Sequence, residues 1–233
     1  MKDIFGIALQ DYQQGNYSED ITTCSSLDEE DSIPLPYLFR TFDEMPELEQ
    51  KALSLCQGSV LDIGSGAGSH SLYLQKKGFK VTALDSSKGA IDTCIQRGIE
   101  RTVHSSILDF DQAQFNTLLM LMNGIGIVGE LNQLHKYLLH LKTLLKPGGQ
   151  ILMDSSDIIY MFEQDEDGGV WVPDTGHYYG QVEFTTSYKG EKSEPFSWLY
   201  VDYRTLSNAC VAAGLQCELV QEGEHFDYLA RLW

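Results

Sequence analysis

Between residues 59 and 154, short apolar runs alternate with stretches whose apolar residues recur every three or four positions. That is the pattern of strands buried on both faces alternating with helices packed over them. The apolar runs fall at 59–63, 79–84, 99–104, 115–122 and 150–153, and the helical spacings at 67–77, 86–96 and 130–145. In the last of these, Leu131, Leu134, Leu138, Leu141 and Leu145 form one inner face. Ile91, Cys94 and Ile95 do the same for the middle one, which Gly98 stops. Upstream, Pro46 sits where a first helical turn accepts it, and Leu48, Ala52 and Leu55 repeat at helical spacing up to the first strand. The alternation predicts an α/β domain with a largely parallel sheet.

The pattern changes at both ends. Residues 1–32 are polar, with an acidic run at Asp28, Glu29, Glu30 and Asp31, and read either as a solvated arm or as a short docking helix carrying Ile4, Phe5, Ile7, Leu9 and Tyr12. From 155 to 202 alternating aromatic and polar residues, with a turn at Lys189-Gly190, predict two or three antiparallel strands inserted after the fifth strand. Trp171, His177, Tyr178, Tyr179, Phe196 and Trp198 there either line a pocket or pack the insertion on the sheet. A helix over 205–213, Gly214 as its stop and a hairpin of 215–220 with 226–232 close the chain. The expected division is therefore an N-terminal helical arm or cap, 1–50, and a domain, 51–233, holding the insertion 155–202.

At 233 residues the chain has room for one sizeable core. A formal net charge of −18 repels polyphosphate at long range, and no dense Lys/Arg cluster offsets it, so no nucleic-acid partner is expected. The apolar run at the start is too short for a signal-peptide core, and that of 115–129 is broken by Asn116, Asn123 and three glycines, which excludes a membrane span. Five cysteines, with no CxxC spacing, fit reduced thiols in a cytoplasm. The six histidines include no HExxH arrangement, and no metal is expected.

The chemistry concentrates at VLDIGSGAGSH, residues 60–70. Glycine at 64, 66 and 68, joining a strand to a helix, describes a loop pressed against a ligand at the free N–H groups of the helix start. The spacing is GxGxG rather than the GxGxxG of a pyrophosphate site, and the strand ends in Asp62, which repels pyrophosphate and suits an ammonium group. Asp85 ends the next strand, nineteen residues past Gly66, where an acid accepts from both ribose hydroxyls of a nucleoside. Asp85 is also placed to cap the helix beginning at Ser86, and the two roles coexist. Asn123 stands at the mouth of the fourth strand, placed either to orient a second reactant or to cap its loop.

Asp-x-Gly-x-Gly-x-Gly at 62–68 resembles the first motif of the class I S-adenosylmethionine (SAM) dependent methyltransferases. Asp85 and the Lys146-Pro147-Gly148-Gly149 turn before the fifth strand follow in that family's order. The resemblance covers about residues 34–154 and, more loosely, 203–233. It implies a Rossmann-like doubly wound seven-stranded sheet with an antiparallel last strand, plus the β-rich insertion. It further implies SN2 transfer of the SAM methyl to a small-molecule acceptor, with S-adenosylhomocysteine as product.

The family's cofactor contacts carry over to Asp62, Gly64, Ser65, Gly66, Gly68, Asp85, Ser86 and Asn123. Ser106 and Ile107 stand near the adenine, where the family's usual acid arrives only at Asp109. Tyr37 and Arg40 resemble an upstream segment that folds over the methionine end in some relatives. If the acceptor needs a base, Asn123, His177 and Tyr178 are the candidates. The adenine-N6 and pyrimidine-C5 motifs are absent from the fourth strand's end, and the acids an aminopropyl transferase needs there are missing too. A nicotinamide oxidoreductase is disfavoured by Asp62. A nonenzymatic SAM-binding or protein-interaction module, or an enzyme acting on a protein or RNA, stays open as the alternative.

Overall fold

In a computed structural model of the chain, residues 2–27, 29–163, 165, 169–172 and 176–233 are described; Asp28 of the acidic run, and Pro173 to Thr175 in the insertion, lie outside them. The chain opens with α1 (Ile4–Gln13), a hairpin of β1 (Ile21–Ser25) and β2 (Glu30–Ile33), the single turn α2 (Leu35–Leu38) and α3 (Glu47–Leu55). The alternating core follows as β3 (Ser59–Ile63), α4 (Ser69–Lys76), β4 (Lys80–Asp85), α5 (Lys88–Gln96), β5 (Thr102–His104), β6 (Phe115–Met120), α6 (Leu134–Thr143) and β7 (Leu145–Ser156). Then come β8 (Gln181–Tyr188), β9 (Glu191–Lys192), β10 (Phe196–Leu199), α7 (Tyr203–Ala212), β11 (Cys217–Glu222) and β12 (Asp227–Leu232).

The main sheet has seven strands in the order β11-β12-β7-β6-β3-β4-β5. β12 alone runs against its neighbours, antiparallel to both β7 and β11, as the resemblance implied. The strand order reverses between β3 and β6, which pair in parallel, so the sheet's switch point, where open α/β sheets take their ligands, lies at their carboxyl ends. Because both faces are covered, the strands alternate between two cores. Leu61, Leu118, Met120, Ile151 and Met153 meet Leu134, Leu138 and Leu141 of α6 and Leu206 of α7. Val60, Leu119 and Leu152 meet Leu48 and Ala52 of α3 and Leu74 of α4.

The insertion gives β8, β9 and β10, but it does not stand alone. β1 pairs antiparallel with β8, so the N-terminal hairpin and the insertion build one five-stranded sheet, β10-β8-β1-β2 with β9 on β8. No strand was expected in the polar residues 17–33, because Thr22, Thr23 and the acids of β2 lack the apolar alternation that marks a buried face. Their pairing comes from backbone bonds to an edge supplied some 160 residues later, as in Thr22 with Ser187. α1 buries Ile4, Ala8 and Leu9 against Ile21, Leu35, Ala67 and Ala90, which brings the chain's start over the glycine loop. Among the described residues, no helix is long and apolar enough to cross a membrane.

Candidate functional site

β3 ends in the glycine loop because three residues there take the left-handed backbone that glycine tolerates: φ is 73° at Gly64, 52° at Gly66 and 81° at Gly68. The loop is tied down locally. Gly64 and Ser65 donate their amides to the Leu84 carbonyl at 2.9 and 3.1 Å, and Gly68 donates to Ser65 at 2.7 Å. Cys94 of α5 donates its thiol to the Gly66 carbonyl, and burial pushes that thiol up to about 12, so it packs as a neutral group. At Gly68 there is no space for a Cβ, since Ile99 and Cys94 fill it.

Two carboxylates flank the loop. Asp62 is buried, and its Oδ2 accepts from the Ser71 hydroxyl at 2.6 Å. Burial raises its carboxyl above the ordinary value, against the pull of His70 and Ser71. Asp85 accepts from the Gly66 amide through Oδ2 at 2.9 Å and from the Ser87 amide through Oδ1 at 2.8 Å, so it spans the glycine loop and the β4–α5 turn. Burial raises it as well, partly offset by those two amides. The cap of α5 is Ser87, whose hydroxyl accepts from the Ala90 amide at 3.0 Å. Asp85 acts one step earlier, by fixing Ser87.

Tyr37 and Arg40 are brought to the same end of the sheet from upstream. Ser69 at the start of α4 donates to the Leu38 carbonyl at 2.8 Å, and Arg97 donates to the Ala67 carbonyl at 2.6 Å while lying over the Phe39 ring. Arg40 is buried, stacks on Tyr37 with its guanidinium 4.0 Å from the ring centre, and forms a two-pronged ion pair with Glu49 of α3. Glu49 also bonds His70 Nε2 at 2.8 Å. Burial drives the Glu49 carboxyl up, but the bonds from His70 and Arg40 outweigh it and leave the carboxyl below its ordinary value. Arg40 Nε is buried with no acceptor.

On the far side of the loop, the Ser105 amide donates to the Asp85 carbonyl at 3.0 Å, which holds the turn after β5 beside β4. Ile107 is buried there, Ser106 is exposed and donates to Asp109 at 2.7 Å, and His140 donates to the Ile107 carbonyl at 2.7 Å. Ser86 is exposed, and its carbonyl accepts from His104 at 3.0 Å.

At the mouth, Met122 and Asn123 follow β6 with φ of 64° and 54°, an uncommon conformation for residues with side chains. Asp154 at the end of β7 holds them, its Oδ2 accepting from the Met122 amide at 3.0 Å and its Oδ1 from the Gly124 amide at 3.1 Å. Burial pushes its carboxyl up to about 6 in spite of these bonds. Asn123 donates through Nδ2 to the Leu199 carbonyl at 3.2 Å, while its Oδ1 is buried without a donor. β10 closes over this turn, with the Trp198 ring on Gly126, where no Cβ would fit. Tyr178 donates to Asp202 at 2.6 Å and accepts from the Asp202 amide at 3.0 Å; Tyr179 donates to Asp157 at 2.7 Å. Burial pushes the Tyr178 hydroxyl up to about 12, and His177 is exposed.

The structure thus brings Asp62, the glycines, Ser65, Asp85, Tyr37, Arg40 and Asn123 to the carboxyl ends of the parallel strands, with Ser86, Ser106 and Ile107 on the turns beside them. Tyr178 is bound to the start of α7. Sequence reasoning passed over Glu49, His70 and Asp154. A signal for the last is present: VLD, ALD and LMD each place an aspartate after an apolar run, within two residues of a strand's carboxyl end.

A family model described as a methyltransferase domain matches residues 60–149. The crystal structure of a SAM-dependent methyltransferase from Bacteroides fragilis in complex with S-adenosylhomocysteine is 41% identical, covers 100% of this chain and 94% of that one, and superposes with a TM-score of 0.92. The SAM-bound amino pentose methyltransferase CalS10 from Micromonospora echinaspora shares 16% identity over 84% of this chain and 93% of its own, TM-score 0.59, a likeness of fold. Among curated proteins, the cypemycin N-terminal methyltransferase of a Streptomyces species is 29% identical over 103 residues. That match spans 42% of either chain, well under half of the curated relative's length.

Proposed function

The chain belongs to the SAM-dependent class I methyltransferases, and from that premise we propose that it transfers the methyl group of SAM to a small-molecule acceptor and releases S-adenosylhomocysteine. The observation that carries the reading is the pair of carboxylates at the strand ends, Asp62 and Asp85, on either side of a loop where Gly64 and Gly66 leave room beside the backbone for a ligand. Bound SAM would supply a methyl group activated by its sulfonium for SN2 displacement. The protein's part is to bind, align and keep water from the two reactants.

Several features fit that cofactor. Asp62 suits the amino group of its methionine end. Arg40 Nε, buried and lacking an acceptor, suits the carboxylate beside it, with Tyr37 against the same segment. Each Asp85 oxygen carries one amide and keeps a second lone pair for a ribose hydroxyl, with Ser86 alongside. Ile107 offers an apolar surface for adenine, with Ser106 at its edge. Asn123 reaches the reactive end from β6. A small-molecule acceptor agrees with the −18 charge, which disfavours nucleic acid, and with the roof of β10 over the mouth. It agrees too with an amino pentose methyltransferase among the proteins of like fold.

Calorimetric titration with SAM and S-adenosylhomocysteine tests the reading. Wild type should bind both, and Asp62→Ala and Asp85→Ala should each weaken binding by about 1–3 kcal/mol, the scale of charged hydrogen bonds. A folded wild type that binds neither ligand would overturn it in favour of an interaction module.

A further inference from the structure

Three strands of the sheet, β3, β4 and β7, carry an aspartate within two residues of their carboxyl ends. Asp62 is satisfied by Ser71 and Asp85 by the Gly66 and Ser87 amides, and the cofactor reading absorbs both. Asp154 is left over. It lies on the same sheet face as Asp62, alternating with Met153, which points into the α6 core, while Leu152 joins the α3 core. Tyr37 and Glu49 both feel its charge, which sets it near the Arg40 segment, and its own amide partners set it against the turn after β6.

Three properties separate this carboxylate from a purely structural one. The Met122, Asn123 and Gly124 amides turn toward its two oxygens, which together still have a lone pair to spare. Among the described residues, no Lys, Arg or His pairs with it, although the neighbouring Glu49 has taken both Arg40 and His70. It also stabilises the left-handed pair Met122 and Asn123, a conformation uncommon for residues with side chains and concentrated where geometry serves a ligand. Asn123, on the turn that Asp154 holds, brings a second acceptor. Its Nδ2 is committed to the Leu199 carbonyl, which fixes the amide's orientation and leaves Oδ1 buried without a donor. An anionic acceptor and a neutral one on the same turn, both short of donors, match a group that carries several N–H bonds and a positive charge.

We propose that Asp154, assisted by Asn123 Oδ1, is the acceptor-binding residue of this enzyme and that the acceptor presents an amino group to it. The inference rests on the SAM reading above and deepens it by naming the nucleophile as nitrogen. The carboxylate binds the acceptor ammonium and takes one of its protons, which frees the nitrogen lone pair; the neutral nitrogen would then form the new N–C bond to the methyl as the methyl's bond to sulfur breaks and its electron pair stays on the sulfur of S-adenosylhomocysteine. A hydroxyl acceptor has one donor and no charge to offer these two groups.

Sinefungin, which resembles S-adenosylhomocysteine but carries an amino group at the place of the transferred methyl, probes this position without knowledge of the acceptor. By calorimetry, wild type should bind sinefungin about tenfold more tightly than S-adenosylhomocysteine, the scale of one charge-assisted hydrogen bond. In Asp154→Asn that advantage should vanish while S-adenosylhomocysteine affinity is kept. Should Asp154→Asn fail to fold, Asp154→Ser, which keeps an acceptor for the Met122 amide, takes its place. Equal affinities in wild type overturn the proposal whatever the variants do, and so does an advantage that survives at Asp154→Asn. A parallel loss of both ligands in a folded variant makes Asp154 a loop-holding residue and overturns it as well. Failure of wild type to bind S-adenosylhomocysteine at all is a different result, the failure of the SAM reading itself.

Discussion

The bonds that fix the two carboxylates of the cofactor cradle join residues close in sequence. Ser71 bonds Asp62 nine positions away, Asp85 reaches Gly66 across nineteen, and Ser87 lies two from Asp85. At the acceptor mouth the corresponding bonds span 32 residues from Asp154 to Met122 and 76 from Asn123 to Leu199. The cradle's left-handed positions are glycines, whereas the mouth puts Met122 and Asn123 in that conformation. One half is therefore pre-shaped by its own residues, and the other is held open by partners contributed from β7 and from the insertion. The difference suits the division of labour proposed for them, a shared cofactor on one side and a particular acceptor on the other.

The largest effect should come from the ion-paired cluster beside the cradle. Arg40→Met leaves Glu49 buried with His70 as its remaining partner, and removing one member of a buried pair costs about 3–5 kcal/mol. Urea unfolding should show it as a shift of midpoint, and a cost within the scatter of surface substitutions would mean that water reaches the cluster.

Next in size, Gly126→Ala drives a Cβ into the Trp198 ring and should cost about 1–3 kcal/mol through overpacking. Because the strain falls on β10 at the mouth, S-adenosylhomocysteine affinity should hold. Gly68→Ala, in contrast, meets Ile99 and Cys94 with φ at 81° and should lower that affinity by distorting the loop. If the two variants exchange these phenotypes, the separation of cradle from mouth is wrong.

The smallest effect concerns pH. Asp154 has a folded value raised by burial to about 6 from 3.8, so its contribution to stability is present below the unfolded value and lost as pH rises through about 6. Glu49, held below its ordinary value, runs the other way and contributes above that value, fading as pH falls through the lowered one. Wild type should accordingly lose stability relative to Asp154→Asn between about pH 4 and pH 7, a difference in denaturation midpoints that isolates one carboxyl. A constant difference across that range would place Asp154 in full contact with water.

Much of the core was legible because its cues are local. Apolar runs and helical spacing located β3, β4, β6, α3 to α6 and the closing β11–β12 hairpin to within a few residues. Boundaries moved where packing had the last word. The predicted strand at 99–104 shortened to Thr102–His104, and β7 begins already at Leu145, passing through the Lys-Pro-Gly-Gly turn with a bulge against Phe115 and Thr117. His140, on α6, clamps the turn after β5 through the Ile107 and Phe110 carbonyls.

By itself the sequence determined the glycine loop, the two acids that flank it and the α/β alternation that presents them at one rim. Each depends on backbone preferences and on periodicities read within a dozen residues. Tertiary structure alone decided that residues 21–33 become strands, since their polar pattern gains order from the edge of β8. It alone decided that Glu49 binds Arg40 and His70, and that Met122 and Asn123 adopt a left-handed turn under Asp154. Those outcomes are set by partners distant in sequence, whose hydrogen bonds and charges outweigh the local preferences of the residues they hold.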